Sequence, residues 1–272
     1  MAEIGIVDTR NIIKLIQEKY ACDFSDYALT SFKRRLENIL LVRNLKHPEI
    51  LMSKIKEDRN FYDKFLDEIA VPSSEMFRDP SLWRLLRDET IPKLYQETPN
   101  FKIWLPGVVS GDELFSLCIT LKELNLLDKI HVHVSSLSNF SLESIKKGYL
   151  KASKVEVSEE NYVRANGKEN FTKYYKEVGG NFLRDTSLLD NVTFELQNIE
   201  MDNAPSGVRL IIYRNKMVYF NPTLQLKILK VFNSSLQPNG YLIIGVKEFL
   251  GNLYNVNDFS LVNPSESIYK KK

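Results

Sequence analysis

The chain has 272 residues, of which 43% are hydrophobic and 26% charged, and its 37 basic and 35 acidic side chains leave a formal net charge of +2. This composition is that of an ordinary soluble globular protein, and the near balance of charge gives no bulk field for binding nucleic acid. The N-terminus carries no charged-then-apolar signal, and no apolar run is long enough to cross a bilayer. We therefore expect a cytoplasmic protein without direct membrane insertion.

Cysteine and histidine usage gives no sign of a metal site. Cys22 and Cys118 lie far apart in the chain inside apolar patterns, so we expect buried free thiols of the kind that a reducing compartment maintains. His131 and His133 alternate with valines on a predicted strand, and we interpret both as structural residues. The sequence therefore predicts no metal.

Residues 1–71 are predicted to form a small all-helical domain. Apolar residues recur at helical spacing through Ile16, again between Tyr27 and Leu45, and again after Pro48. The second predicted helix carries three consecutive basic residues on its other faces, Lys33, Arg34 and Arg35. Such a run forms either a solvated helix face or a local basic surface for an acidic partner.

A linker and one helix are predicted between this domain and the next, over residues 72–99. The stretch 71–79 reads Val-Pro-Ser-Ser-Glu-Met-Phe-Arg-Asp, and its proline and serines are typical of a domain boundary. Pro80 is predicted to begin a helix that ends near Pro92, because proline suits a first helical turn better than a helix interior.

The stretch 101–122 predicts a ligand site. A short apolar run, then Gly107 and Gly111, then apolar residues at helical spacing indicate a buried strand, a glycine loop and a helix. Asp112 and Glu113 at the predicted helix start favour the helix dipole but would repel a phosphate. They suit a ligand with hydroxyl groups and positive charge, such as S-adenosylmethionine. Alternatively, they are only favourable first-turn residues.

The rest of the chain predicts an α/β fold with an insertion. Strands and helices alternate, which favours a parallel sheet with right-handed crossovers. The predicted strands are 130–134, 192–196, 208–213 and 241–246, and the predicted helices are 141–149 and 223–236. The polar stretch from about 150 to 190 interrupts the alternation, and Val155 and Val157 alternate with charges there, as in a small exposed hairpin. A turn is predicted at 238–240, and the chain closes with a polar stretch.

Five short motifs follow one another along the chain. They are the helical part with Tyr27, Ser31 and Arg34-Arg35, the run 74–80 (Ser-Glu-Met-Phe-Arg-Asp-Pro), the strand and glycine loop of 104–117, the run 214–220 (Arg-Asn-Lys-Met-Val-Tyr-Phe) and the turn 238–242 (Pro-Asn-Gly-Tyr-Leu). In this order the chain resembles the CheR family of chemoreceptor glutamate O-methyltransferases over nearly its whole length. Each motif alone is weak, and the five in register carry the resemblance.

The resemblance implies a fold, a cofactor and a reaction. The fold is an α/β, Rossmann-like S-adenosylmethionine-dependent methyltransferase domain over residues 100–272, with the small β-containing insertion and the helical domain before it. The reaction is methyl transfer from S-adenosylmethionine to glutamate side chains of a helical receptor or signalling protein, with S-adenosylhomocysteine as product. We expect a monomer that binds no nucleic acid.

The resemblance also implies residue roles. Arg78 and Tyr219 match catalytic positions. The implied cofactor-binding residues are Gly107, Glu113, Ser136, Asn198, Ile199, Arg214 and Asn215. Lys33, Arg34 and Arg35, with Arg43, would meet an acidic helical substrate. Because a glutamate carboxylate is already ionised at neutral pH, these residues would act by positioning rather than as a base. The structural alternatives are a strand-end cap for Arg214 and Asn215, and a core aromatic for Tyr219.

Three departures from the family pattern leave an alternative open, and one of them is Asn239 in the late turn, where a glycine is usual. Val108 and Val109 stand in the glycine loop where the family has small polar residues. Ser136 stands where the family has an aspartate expected to hold the ribose hydroxyls of the cofactor. Losing such a charge-assisted hydrogen bond costs roughly 1.5–3 kcal/mol, or about tenfold to a hundredfold in affinity. The chain is therefore either a divergent methyltransferase or a catalytically weak or inactive protein-interaction module on the same fold.

Overall fold

The computed structural model describes residues 4–70, 74–250 and 258–272. The α-helices are α1 (Ile6–Tyr20), α2 (Leu29–Val42), α3 (Pro48–Glu57), α4 (Arg59–Ile69), α5 (Pro80–Leu85), α6 (Ile91–Glu97), α7 (Asp112–Glu123), α8 (Asn139–Lys146), α9 (Val155–Arg164) and α10 (Pro222–Ser235). The strands are β1 (Lys102–Leu105), β2 (His131–Ser136), β3 (Tyr149–Leu150), β4 (Tyr175–Val178), β5 (Asn181–Arg184), β6 (Val192–Leu196), β7 (Val208–Tyr213), β8 (Leu236–Ile244), β9 (Phe259–Asn263) and β10 (Ile268–Lys271). The predicted boundary at 71/72 lies outside the described residues.

The main sheet has seven strands in the order β6-β2-β1-β7-β8-β10-β9. Strands β6, β2, β1, β7 and β8 run parallel, while β10 is antiparallel to β8 and to β9. The chain moves outward from β1 to β2 and β6, then returns to β7 on the other side of β1. Such a reversal opens a crevice at the carboxyl ends of the central strands. The predicted α/β class, with its helical N-terminal part and small β-containing insertion, is confirmed.

Alternate residues of the central strands pack into two different hydrophobic cores, because successive side chains of a strand point to opposite faces of the sheet. Ile103 and Leu105 pack into one core together with α5, α6 and α7. Trp104 and Ile211 pack into the other, which also contains Phe232 of α10 and the buried faces of α1 to α4. The N-terminal helices therefore cover the same face of the sheet as α10, and they share a core with it.

The helix that begins at Pro80 continues past Pro92 to Glu97, so the predicted end is wrong. A π-helical turn, Leu86–Thr90, joins α5 to α6. Pro92 follows this turn directly, as the second residue of α6, and the backbone stays helical although proline has no N–H to donate. The widened turn lets the helix restart without a break.

The insertion holds a small antiparallel sheet of order β3-β5-β4, but the hairpin predicted around Val155 and Val157 is wrong. That stretch is α9. Val155, Ser158 and Tyr162 recur at spacings of three and four, and this helical period extends over more residues than the short alternation. The hairpin lies instead at β4 and β5, which Gly179 and Gly180 connect.

Further differences from expectation concern one helix end, one turn and the closing stretch. The helix predicted over 141–149 ends at Lys146, and Tyr149 begins β3. The turn predicted at 238–240 lies within β8, as an irregularity in its pairing with β7. The closing polar stretch contributes β9 and β10 to the sheet. Among the described residues, no helix is both long and apolar enough to cross a membrane.

Candidate active site

The glycine loop lies at the carboxyl end of β1, as the sequence predicts. Gly107 and Gly111 both have left-handed backbone, with φ of 63° and 75°. A side chain at Gly111 would meet Ile145 at 3.1 Å. The N–H of Val108 donates to the carbonyl of Ser135 at 2.8 Å, which ties the loop to the end of β2. The backbone of the loop is therefore fixed and open at Gly107.

Asp112 and Glu113, at the start of α7, have different partners. The buried carboxylate of Asp112 forms an ion pair with Arg184 of the insertion and accepts a hydrogen bond from the hydroxyl of Ser110 at 2.7 Å. Burial raises the pKa of Asp112, and Arg184 opposes that rise. Glu113 faces the crevice, where its Oε1 lies 3.7 Å from a guanidinium nitrogen of Arg214. Of the two acidic residues, Glu113 is the one available to a ligand.

The segment before α5, residues 74–79, connects the helical domain to the sheet domain and is called the connector below. It is anchored so that Arg78 lies beside the crevice. Phe77 is buried with left-handed backbone, and its ring packs edge-on against Trp83 and Tyr162. Its N–H donates to the hydroxyl of Ser116 at 2.8 Å. The side chain of Arg78 is 43% exposed, and its Nε lies 4.0 Å from Oε1 of Glu75. The guanidinium is therefore held only loosely at the cavity.

A cavity of about 260 Å³ lies between the connector, the glycine loop and the segment after β7. Its predicted site residues are Arg78, Gly107, Glu113, Arg214, Asn215 and Tyr219. Residues from three separate motifs thus share one cavity. Its lining contains both carboxylates and cations, so it suits a ligand that carries charges of both signs.

Arg214, at the end of β7, joins the parts of this cavity. Its side chain is 3% exposed and forms ion pairs with Asp79 and Glu113. It also donates to the carbonyl of Arg78 at 3.4 Å. One guanidinium therefore contacts both the connector and the first turn of α7. Arg214 therefore does more than cap the end of β7, which was the structural alternative.

Glu248 is a site residue that sequence reasoning missed. It is 5% exposed, and its carboxylate accepts hydrogen bonds from the backbone N–H groups of Gly245 (2.6 Å), Asn215 (2.9 Å) and Val218 (3.3 Å). Asn215 has left-handed backbone with φ of 58°. Glu248 thus holds the bend that places Tyr219 at the cavity. Its only signal in the sequence was an acidic residue shortly after a buried strand.

A second cleft opens on the other side of Gly107, with a volume of about 30 Å³. Ser136, Asn198 and Ile199 line it, so the structure brings these three predicted residues together. Ser136 is 2% exposed, and its hydroxyl accepts a hydrogen bond from the N–H of Ser138 at 3.3 Å. The side chain of Asn198 is paired with Asp202. Among the described residues that line this cleft, none has a carboxylate.

The basic residues predicted on and just after α2 have different surroundings in the structure, and their substrate-binding role stays a prediction. Lys33 forms an ion pair with Glu37 at 2.8 Å, and Arg43 forms one with Glu68 at 2.8 Å. Arg35 turns inward and packs on Tyr219. Arg34 is exposed. The structure therefore separates the three predicted substrate-binding residues rather than grouping them on one solvated face.

The two histidines predicted to be structural lie beside polar side chains of β6 and of the residue before it. His131 contacts Asn191 and Thr193 at 3.2 and 3.0 Å, and His133 lies 2.9 Å from Glu195. Both cysteines are free thiols, but only Cys118 is buried; Cys22 is partly exposed, so the prediction of a buried thiol is wrong there. In the described ranges no group of three His, Cys, Asp or Glu side chains could hold a metal ion.

Comparison with known proteins identifies the family. Residues 8–70 match the CheR methyltransferase all-alpha domain, and residues 72–266 match the CheR methyltransferase SAM-binding domain. The chain belongs to the CheR methyltransferase family.

Two relatives match this CheR protein over nearly the whole of both chains, and a third matches over about three quarters of each. A Pseudomonas putida protein named "Putative methyltransferase Cher3" is 33% identical over 266 residues, which cover 97% of each chain. The chemotaxis protein methyltransferase of Vibrio anguillarum is 24% identical and spans 100% of this chain and 93% of its own. That of Vibrio parahaemolyticus is 27% identical over 76% of this chain and 75% of its own.

The cofactor of this CheR protein is S-adenosylmethionine, and the lining of the cavity fits it. Glu113 offers a carboxylate for an ammonium or sulfonium group, while Arg78, Arg214 and Lys216 bring positive charge to the same lining. Gly107 leaves the backbone open between the cavity and the second cleft, where a long ligand could cross. The role of each individual residue remains a prediction.

Proposed function

We propose that this protein methylates glutamate side chains of a helical chemoreceptor, using S-adenosylmethionine as the methyl donor. The observation that carries the proposal is the position of Arg78. Its guanidinium is the half-exposed cation on the connector side of the cavity, within reach of a protein substrate and loosely held by Glu75. A guanidinium matches a carboxylate with two parallel hydrogen bonds, which would fix the orientation of an acceptor glutamate.

The reaction needs little acid–base chemistry from the protein. An acceptor carboxylate oxygen attacks the methyl carbon, the methyl–sulfur bond breaks, and its electron pair remains on sulfur. The acceptor is already ionised, so the absence of histidine from the described cavity lining is consistent with the reaction. The cavity residues would contribute by alignment, which is worth several kcal/mol when the reacting atoms are held in line.

Two charged groups become neutral as the methyl group moves, so excluding water favours the transfer. Tyr219 lies at the cavity, on the face of the sheet that the N-terminal helices cover. Its hydroxyl would orient the acceptor or the donor, and Arg214 would keep the connector closed over α7. In this scheme these residues hold the two substrates in a dry cleft.

A second candidate is an interaction module that binds a receptor without methylating it. One observation favours it. The cleft beside Ser136 is small, at about 30 Å³, and its described lining contains no carboxylate for ribose hydroxyls. Weak cofactor binding would leave such a protein mainly a binding partner.

A transfer assay separates the two candidates. The protein is incubated with S-adenosylmethionine labelled in the methyl group and with the cytoplasmic helical fragment of a chemoreceptor from the same organism. Methylation of glutamate gives label in the receptor that mild base releases as methanol, because a carboxylate ester is hydrolysed and a methylated amine is not. A receptor fragment with its surface glutamates changed to alanine should stay unlabelled. Receptor binding without base-labile label would support the interaction module instead.

A further inference from the structure

Lys216 is a buried cation at the cavity that the predicted roles leave unused. It directly follows Arg214 and Asn215, and it is 8% exposed. Its Nζ donates to the carbonyl of Pro106 at 2.8 Å and lies 4.8 Å from the ring centroid of Tyr213. Pro106 immediately precedes Gly107, so the ammonium group lies against the first residues of the glycine loop.

The charge of Lys216 has no ion-pair partner among the residues that the structure describes. The other buried cation of the cavity, Arg214, is paired with Asp79 and Glu113. Burial lowers the pKa of Lys216, Glu113 and Glu248 oppose that change, and Arg214 reinforces it. The carboxylate of Glu248 is already bonded to backbone N–H groups. A buried ammonium with one carbonyl partner is costly unless a bound anion completes its environment.

The position of Lys216 indicates which kind of anion it would bind. An ammonium group has three donors, and the contact with Pro106 uses one of them. The acceptor glutamate of a protein substrate enters from outside, where the half-exposed Arg78 lies. Lys216 instead lies at the buried root of the glycine loop, in the same cavity as Glu113. An amino-acid group, with its ammonium near Glu113 and its carboxylate near Lys216, would place an opposite charge beside each of these two side chains.

We propose that Lys216 binds the α-carboxylate of the methionine portion of S-adenosylmethionine and so determines how that end of the cofactor is oriented. The proposal rests on the cofactor of the family but not on the identity of the methyl acceptor. It makes Lys216 a specificity residue that distinguishes the amino acid from the corresponding amine. Arg78 is left free for the acceptor carboxylate.

The test compares S-adenosylmethionine with decarboxylated S-adenosylmethionine, which keeps the sulfonium and the amine but lacks the carboxylate. Both are titrated calorimetrically into the wild-type protein and into Lys216→Met. The wild type should prefer S-adenosylmethionine. The substitution should weaken binding of S-adenosylmethionine about tenfold to a hundredfold, as expected for the loss of a charge-assisted hydrogen bond. It should change binding of the decarboxylated ligand by less than about threefold.

Two further variants exclude a purely structural role. Lys216→Gln keeps a donor for the carbonyl of Pro106 without the charge, and it should lose the same discrimination as Lys216→Met. Lys247→Met removes an exposed lysine at the cavity and should preserve the discrimination. Melting temperatures show which variants are folded. If both ligands bind equally more weakly to the variants, the proposal is overturned and Lys216 only holds the loop. Unchanged binding of both ligands would also overturn the proposal. A wild type that binds neither ligand would overturn the cofactor assignment as well, whereas a failed transfer assay alone would leave the proposal intact.

Discussion

The guanidinium of Arg35 lies over the ring of Tyr219, with its Cζ 4.1 Å from the ring centroid. Through Nη1 the same group donates to the carbonyl of Ile69, the last residue of α4, at 2.6 Å. One side chain therefore connects two N-terminal helices to a residue of the candidate active site. The contact gives Arg35 a structural role beside Tyr219, while its substrate-binding role stays a prediction.

Replacing Arg35 with alanine should destabilise the protein and slow methyl transfer. The change removes a partly buried cation–π contact and a hydrogen bond, together worth about 1–3 kcal/mol in the free energy of unfolding. Arg34→Ala, at the exposed neighbouring position, is the matched control and should change stability by less than about 0.5 kcal/mol. Denaturant unfolding and transfer rates measure both effects. Wild-type stability of Arg35→Ala with weakened receptor binding would support the substrate-binding role instead.

Replacing Arg78 should affect transfer more than cofactor binding. Arg78→Ala removes the group proposed to align the acceptor carboxylate, so the transfer rate should fall by at least about a hundredfold while affinity for S-adenosylmethionine changes less. Arg78→Lys should recover little, because an ammonium group cannot form the two parallel bonds of a guanidinium. Rate and affinity should be measured on the same folded sample. Near-normal transfer by a well-folded Arg78→Ala would remove Arg78 from the active site.

Glu248→Gln should disturb the segment that carries Tyr219. The amide has one acceptor oxygen where the carboxylate has two, and its NH₂ group would face backbone donors at Asn215 or Val218. Leaving such buried groups unpaired costs about 1–3 kcal/mol. We expect a lower melting temperature and reduced transfer together. Thermal unfolding checks the first effect, and unchanged stability would show that the three backbone contacts matter little.

Ser136→Asp should strengthen cofactor binding about tenfold or more while lowering the stability of the ligand-free protein. The new carboxylate would accept hydrogen bonds from ribose hydroxyls, but without ligand it would be a buried charge. Calorimetry measures the affinity, and melting curves with and without S-adenosylmethionine measure the stability. If affinity is unchanged or falls, either the strand end is aligned wrongly with the family or the cleft is built around another group.

The sequence predicted those parts of the fold that local patterns determine. The strands Val192–Leu196 and Val208–Tyr213 were predicted to the residue, because the first alternates apolar and polar residues and the second is a short, mostly apolar run. The site motifs were also recognisable, since each is a contiguous run. The pairing of Asp112 with Arg184 was not predictable from the sequence, because it joins residues 72 positions apart and no local pattern selects the partner.

Arg35 shows what a closer interpretation of the helix pattern could have found. Phe32, Leu36 and Ile39 form the buried face of α2. Arg35 follows Phe32 by three residues and precedes Ile39 by four, so it lies on that same face. The spacing therefore predicts that Arg35 points inward. It does not predict the contact with Tyr219, because that contact depends on how the helices pack on the sheet.

The central claim is that S-adenosylmethionine binds in the cavity beside Gly107 and Glu113. Its most direct test is calorimetric titration of the cofactor into the wild type, Glu113→Gln and Glu113→Lys, with melting curves as a check of folding. We predict one site in the wild type, weaker binding in Glu113→Gln, and none in Glu113→Lys, where a like charge would face the sulfonium and Arg214. No heat and no thermal shift from the wild type at millimolar cofactor, or unaltered binding by a folded Glu113→Lys, would contradict the claim.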